Sequence, residues 1–320
     1  MIQKLLKAGL LILALFASLV IGFVIFRKSL ILDKAIVKNH YRLPSSHFLQ
    51  WRGAEVHYTD QGRGVPILMI HGLGGSIWDF RYLDSSLSKQ YRVIRVDMPG
   101  FGLSDYPATQ ESPVTLYNEY FGWLLDTLHI DSMYVMGNSM GGMMAWSIAV
   151  NYPQKVKKLI LFNSAGYDIP ATLKSTNAYM LRYDILKKYL EKGVPEYITK
   201  NGMKRTFYNY KKFMKEDNIQ RFNDMWNREG NLEHIIRIAN NDDFPSTESI
   251  KGVTCPTLII WGKQDKIIPV KNAYDFKRDI RNCTCIIYDS CGHVPMLEEH
   301  EKVIRDITPF LYSPKPSVVR

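Results

Sequence analysis

The amino-acid sequence predicts an α/β fold: a mostly parallel central sheet flanked by helices, with a helical cap inserted after the sixth strand. Three observations predict it. Short apolar runs of strand length recur at residues 65–70, 91–96, 133–136, 159–162, 258–261 and 283–288, the pattern of strands buried on both faces. One of these runs ends abruptly in Gly137-Asn138-Ser139-Met140-Gly141, and a helix-like run follows it. Between residues 165 and 252 the strand-type runs disappear. There Tyr189, Tyr197, Phe207, Tyr208, Phe213, Phe222, Met225, Trp226 and similar residues recur at helical spacing among many lysines.

The elements follow in chain order. Residues 8–26 carry no charge over nineteen positions, enough at about 1.5 Å per helical residue to cross a hydrocarbon core. Lys4 and Lys7 precede this run, and Arg27 and Lys28 follow it. It is apolar on every face, unlike a surface helix of a soluble domain. A signal peptide would have a shorter apolar run with a small-x-small cleavage site at its end, whereas this one ends in Val-Ile-Phe-Arg. The expectation for residues 1–28 is therefore an uncleaved membrane anchor, with a signal-like segment and a secreted protein as the alternative. Positive residues on both sides leave its orientation open. Residues 29–47 read as a linker, and residues 48–60 as a hairpin turning at Arg52-Gly53. Residues 48–165 and 253–312 form the expected core, 166–252 the cap and 313–320 a Pro-containing tail. Residues 115–128 read as an amphipathic helix.

Charge and composition narrow the function classes. The net charge is +10, and residues 1–47 hold +6 of it. A nucleic-acid surface would concentrate charge on the folded domain; here the excess flanks the apolar run, as at a membrane surface. No nucleic-acid partner is expected. Hydrophobic content of 46% and aromatic content of 12% suffice for a packed core. The four cysteines, Cys255, Cys283, Cys285 and Cys291, lie in the last quarter of the chain without zinc-like spacing. They read as buried free thiols, with Cys291 open to one disulfide. No metal or organic cofactor is implied.

The chemistry is carried by three positions in a fixed order. A Gly-x-Ser-x-Gly segment between strand and helix forces its serine into a strained turn with the hydroxyl exposed. A serine hydroxyl is a poor nucleophile until a histidine takes its proton, and an acid must orient that histidine. Downstream, the run 257–261 ends in Gly262-Lys-Gln-Asp265, and the run 285–288 ends in Asp289-Ser-Cys-Gly292-His293. Asp265 and His293 thus follow the C-terminal ends of strands, where open α/β sheets build their sites.

With His71-Gly-Leu-Gly-Gly75 and Asp97-Met-Pro-Gly-Phe-Gly102 upstream, residues 48–312 resemble the α/β-hydrolase fold. The resemblance implies Ser139 as nucleophile, Asp265 as orienting acid and His293 as general base, with the backbone N–H groups of Leu73 and Met140 as the oxyanion hole. Rival residues have other readings. His300 falls in a helix-like segment and reads as a solvated residue. His71 shapes the oxyanion loop, and Asp97 holds loops together. Asp289 and Asp168 are alternative acids, less favoured by position than Asp265. A serine at the elbow argues against dehalogenases and epoxide hydrolases, which resemble this family but place an aspartate there. The implied activity is hydrolysis of carboxylic esters, lipid-like or otherwise apolar. The alternatives are a carbon–carbon bond hydrolase of the meta-cleavage type, a haloperoxidase or perhydrolase, and a non-catalytic scaffold. Against the first, the oxyanion loop lacks the usual proline, and Val294 stands where a tryptophan often follows the histidine.

Overall fold

The computed structural model describes residues 28–168, 188–239 and 244–312. The expected anchor at 8–26, the tail at 313–320 and the cap residues 169–187 lie outside the described residues. Among the described residues, no helix is long and apolar enough to cross a membrane.

Eight strands form one sheet: β1 (Ser46–Trp51), β2 (Ala54–Gln61), β3 (Pro66–Ile70), β4 (Arg92–Val96), β5 (Met133–Asn138), β6 (Val156–Phe162), β7 (Thr257–Gly262) and β8 (Cys283–Tyr288). Their spatial order is β1-β2-β4-β3-β5-β6-β7-β8. β2 runs antiparallel to both β1 and β4, and every other pairing is parallel. The β1–β2 hairpin turns at Arg52 and Gly53, with φ of 49° and 76°. Two successive left-handed residues give the turn whose twist matches an antiparallel pair.

Side chains alternate between the two faces with period two. Leu68, Ile70, Leu159, Leu161, Ile259 and Trp261 join the core cluster that the helices Pro113–Thr127 and Met140–Asn151 cover. Ile67, Met69, Ile160, Phe162, Leu258 and Ile260 join the cluster beneath Arg81–Leu87 and His300–Tyr312. The helix expected at 115–128 begins at Pro113, because Ser112 caps it and proline suits a first-turn position.

After β6 come the helices Glu196–Thr206, Tyr210–Phe213, Glu216–Asn227 and Asn231–Ala239, before β7 resumes the sheet. Their aromatics mostly pack inward: Phe207 and Phe213 stack with ring centroids 4.7 Å apart and join the core, while Tyr197 and Tyr208 stay exposed.

Two expectations change. The segment 29–47, read as a linker, contains the helix Lys34–Tyr41, capped by Asp33. Its Val37 and Tyr41 pack with Leu103 of the core and Met225 of the cap helix. Leu30 N–H donates to the Lys192 carbonyl at 2.7 Å, and Leu32 exchanges backbone bonds with Asn227 and Glu229. All four cysteines are free thiols, so Cys291 forms no disulfide. Cys291 is fully buried, while Cys283 and Cys285 on the edge strand are only half-buried.

Candidate active site

The chain leaves β3 toward β4 on one side, while β5 pairs on the other. This change of direction opens a crevice at the carboxyl ends of β3 and β5. The residues at those ends are His71-Gly72-Leu73 and Ser139.

Ser139 has φ 54° and ψ −121°, a conformation costly for any residue with a Cβ. Its neighbours make the turn possible. A Cβ on Gly137 would run into the Gly141 carbonyl, and one on Gly141 would run into the carbonyls of Ile70 and His71. The turn is pinned by Ser139 N–H to the Phe162 carbonyl at 3.1 Å and by Ala165 N–H to the Ser139 carbonyl at 2.9 Å.

Asp265 and His293 meet: His293 Nδ1 lies 2.7 Å from Asp265 Oδ2. Asp265 is held on every side. Its Oδ1 accepts from the N–H groups of Ile267 at 2.7 Å and Ile268 at 3.0 Å, and its Oδ2 also accepts from Asn163 Nδ2 at 2.6 Å. A carboxylate at Nδ1 fixes the imidazole tautomer and leaves Nε2 as a proton acceptor. Asn138 Nδ2 donates to the carbonyls of His293 and Phe162, both at 3.0 Å. The residue before the serine thereby anchors the histidine loop.

The rival acids are elsewhere. Asp289 is exposed and pairs with Lys263 at 2.9 Å, and Asp168 is exposed. Asp97 is fully buried and accepts from His57 Nδ1 at 2.6 Å and from the N–H groups of Ile77 and Leu103. Burial pushes its carboxyl up, but His57, His71 and the Leu103 N–H outweigh it and hold it below the ordinary value. It ties loops together, as expected. His71 Nε2 accepts from Met98 N–H at 3.1 Å, and its Nδ1 faces the Gly72 carbonyl at 2.7 Å, so both ring nitrogens are engaged in the loop. His300 differs from expectation: it is half-buried and stacks on Tyr82 with ring centroids 4.1 Å apart.

Met140 and Leu73, the expected oxyanion donors, lie next in the chain to Ser139 and to Gly72, the residue that packs on Ser139. Met140 opens its helix, so its N–H has no carbonyl one turn back. Leu73 is 45% exposed. Gly72 lets this loop lie against the elbow: a Cβ there would approach Ser139 Cβ to 3.1 Å. Trp226 of the cap donates from Nε1 to the Gly74 carbonyl at 2.8 Å and fixes the far side of the loop.

Three of these positioning groups escape sequence reasoning: Asn138, Asn163 and Trp226. Asn163 carries one sequence signal, as asparagine is a residue that tolerates a left-handed backbone, here φ 42°. Among the described residues, no group of three or more His, Cys, Asp or Glu is arranged to hold a metal.

A family model of the alpha/beta hydrolase fold matches residues 65–300. This chain belongs to the α/β-hydrolase fold family. The hydrolase is 29% identical over 274 residues to a 2-hydroxy-6-oxononadienedioate/2-hydroxy-6-oxononatrienedioate hydrolase of Burkholderia vietnamiensis, covering 80% of this chain and 90% of that relative. Among solved structures it is similar to a serine hydrolase involved in carbazole degradation, with TM-score 0.69, 26% identity, and 83% of this chain and 98% of that one covered. A bacterial membrane phospholipase A shares the fold at TM-score 0.71 and 23% identity, with 96% of this hydrolase and 98% of that chain covered.

Proposed function

We propose that this hydrolase cleaves carboxylic esters with apolar acyl groups through Ser139, His293 and Asp265. The observation that carries the reading is the Asp265–His293 pair, anchored through Asn138 to the strained Ser139 turn. His293 Nε2 takes the proton of the Ser139 hydroxyl as Oγ attacks the ester carbonyl. The carbonyl π pair moves to oxygen, and the N–H groups of Leu73 and Met140 stabilise that oxyanion. Collapse expels the alkoxide, which leaves as the alcohol with the proton from His293. Water, deprotonated by His293, then attacks the acyl-enzyme and releases the acid and Ser139.

A second reading, carbon–carbon bond hydrolysis, is favoured by the name of the Burkholderia relative. By that name its substrates are dicarboxylates, which call for cationic partners. Among the described residues, the two buried arginines are already engaged, Arg95 with Asp84 at 2.8 Å and Arg228 with Asp105 at 2.7 Å. With Val294 after the histidine and no proline in the oxyanion loop, this supports the ester reading. We also propose that residues 8–26 anchor the hydrolase in a membrane, on the strength of their uncharged length and basic flanks.

The test is turnover of p-nitrophenyl esters from acetyl to palmitoyl by the protein and by Ser139→Ala. The expected result is turnover that falls by about 10³-fold or more in the variant. No turnover by folded wild-type protein, with consumption of a dienoic ring-cleavage product, would move the assignment to carbon–carbon bonds.

A further inference from the structure

One buried carboxylate near the site takes no part in the steps above. Among the described residues Glu298 forms no ion pair; it is 4% exposed, its two oxygens accept from backbone N–H groups, and the Cys291 thiol lies 4.0 Å from Oε1. Oε1 accepts from Gly292 N–H, the residue before the base, at 2.8 Å. Oε2 accepts from Tyr208 N–H, just past the cap helix Glu196–Thr206, also at 2.8 Å. The same two segments are joined again by His293 N–H to the Thr206 carbonyl at 2.8 Å. All these groups converge on Gly292, where an added Cβ would lie 2.6 Å from Thr206 O and 2.7 Å from both Glu298 Oε1 and Tyr208 N. Burial pushes the Glu298 carboxyl up to about 7, against the backbone N–H groups of Tyr208, Gly292, Asn209 and Val294 that pull it down. A buried acid is costly unless its oxygens are taken up, and here one partner, Tyr208, lies 90 positions before Glu298 in the chain.

We propose that Glu298 is the positioning residue for the base: it clamps the His293 loop to the cap, so that the seating of the cap and the register of the imidazole are set together. This rests on the reading of His293 as base and Ser139 as nucleophile. Glu298→Gln tests it, because a carboxamide keeps the shape but offers one acceptor oxygen to two N–H donors and turns an NH₂ toward the other.

The readout is the rate at which a fluorophosphonate labels Ser139, which reports Ser139–His293 competence whatever the natural substrate. The expected result is labelling slower by about 10²-fold, the scale of a misplaced catalytic group. On the best ester, kcat should fall with KM held within about twofold, as for an interaction made in the transition state. Glu298→Asp, which retains a carboxyl group with two oxygens, should recover part of the loss. Labelling of folded Glu298→Gln at the wild-type rate overturns the proposal.

Hydrogen exchange on the unmodified protein decides the matter if the variants do not fold. The amides of Gly292 and Tyr208 should be protected to a common degree, and free exchange at either one overturns the clamp. A folded wild type that fails to label, while Ser139→Ala is equally silent, sinks the serine-hydrolase reading instead and leaves the clamp to the exchange result.

Discussion

At the scale of single residues, the site is a set of polar atoms whose hydrogen bonds are nearly all assigned. Asp265 receives four donors, and Asn163 and Asn138 each brace a catalytic candidate from a different strand end. Asp97 plays the same role for the loops behind the oxyanion segment. Its folded carboxyl lies below the ordinary value of 3.8. Its contribution to stability is therefore complete above that value and is lost as pH falls through the lower folded one. Asp97→Asn is expected to cost about 3 kcal/mol at neutral pH, since it breaks a buried, hydrogen-bonded charge. Urea unfolding across pH should show the gap between wild type and variant closing below pH 3.8. A gap unchanged into acid would mean that the carboxylate's charge is irrelevant there. The sequence identified Asp97 as a loop organiser by its place after a strand, but not His57 as its partner, forty positions away on an antiparallel strand.

At the scale of elements, the strand–turn–helix unit around Ser139 is governed by space. β5 and the helix Met140–Asn151 approach so closely that Gly137 has backbone atoms of Gly141 and Gly142 where a Cβ would go. Backbone cannot swing aside as a flexible side chain can. Gly137→Ala is expected to lose about 1–3 kcal/mol, the usual cost of overpacking, and to lower the rate of Ser139 labelling as the turn opens. Chemical denaturation measures the first; a loss below about 0.5 kcal/mol, within the range of ordinary surface changes, would show that the unit has slack. Elements of this kind were legible in the chain. The elbow, the hairpin at Arg52-Gly53 and the six apolar runs all appear where expected, because each is specified by residues within a few positions of one another. The helix Lys34–Tyr41 was not, because its stability comes from packing of Val37 and Tyr41 on distant residues and from the Asp33 cap.

At the scale of the whole molecule, the segment that follows the proposed anchor is stitched to the cap. Leu30 and Leu32 account for three backbone hydrogen bonds to residues 192, 227 and 229. The full chain is expected to sediment with membranes and to need detergent for release, while a chain beginning at residue 28 stays in the supernatant with its thermal midpoint unchanged. A chain beginning at residue 34 should lose about 2–6 kcal/mol, the net worth of three such bonds and a helix cap. Equal stability of the two shortened chains would mean that the stitching is incidental. A full chain that remains in the supernatant uncleaved would remove the anchor.

The sequence by itself determined the elements, their order and the identities of the chemical groups at strand ends. These depend on local periodicity, on turn residues and on where apolar runs stop. The tertiary structure alone decided that Asp97 serves His57, that Asn163 reaches Asp265 across 102 positions, and that Glu298 joins the base loop to the cap. The physical reason is the strand order. β3 lies between β4 and β5, and β6 beside β7 with the whole cap between them in sequence. Ladders between non-consecutive strands bring strand ends together that no local pattern in the chain connects.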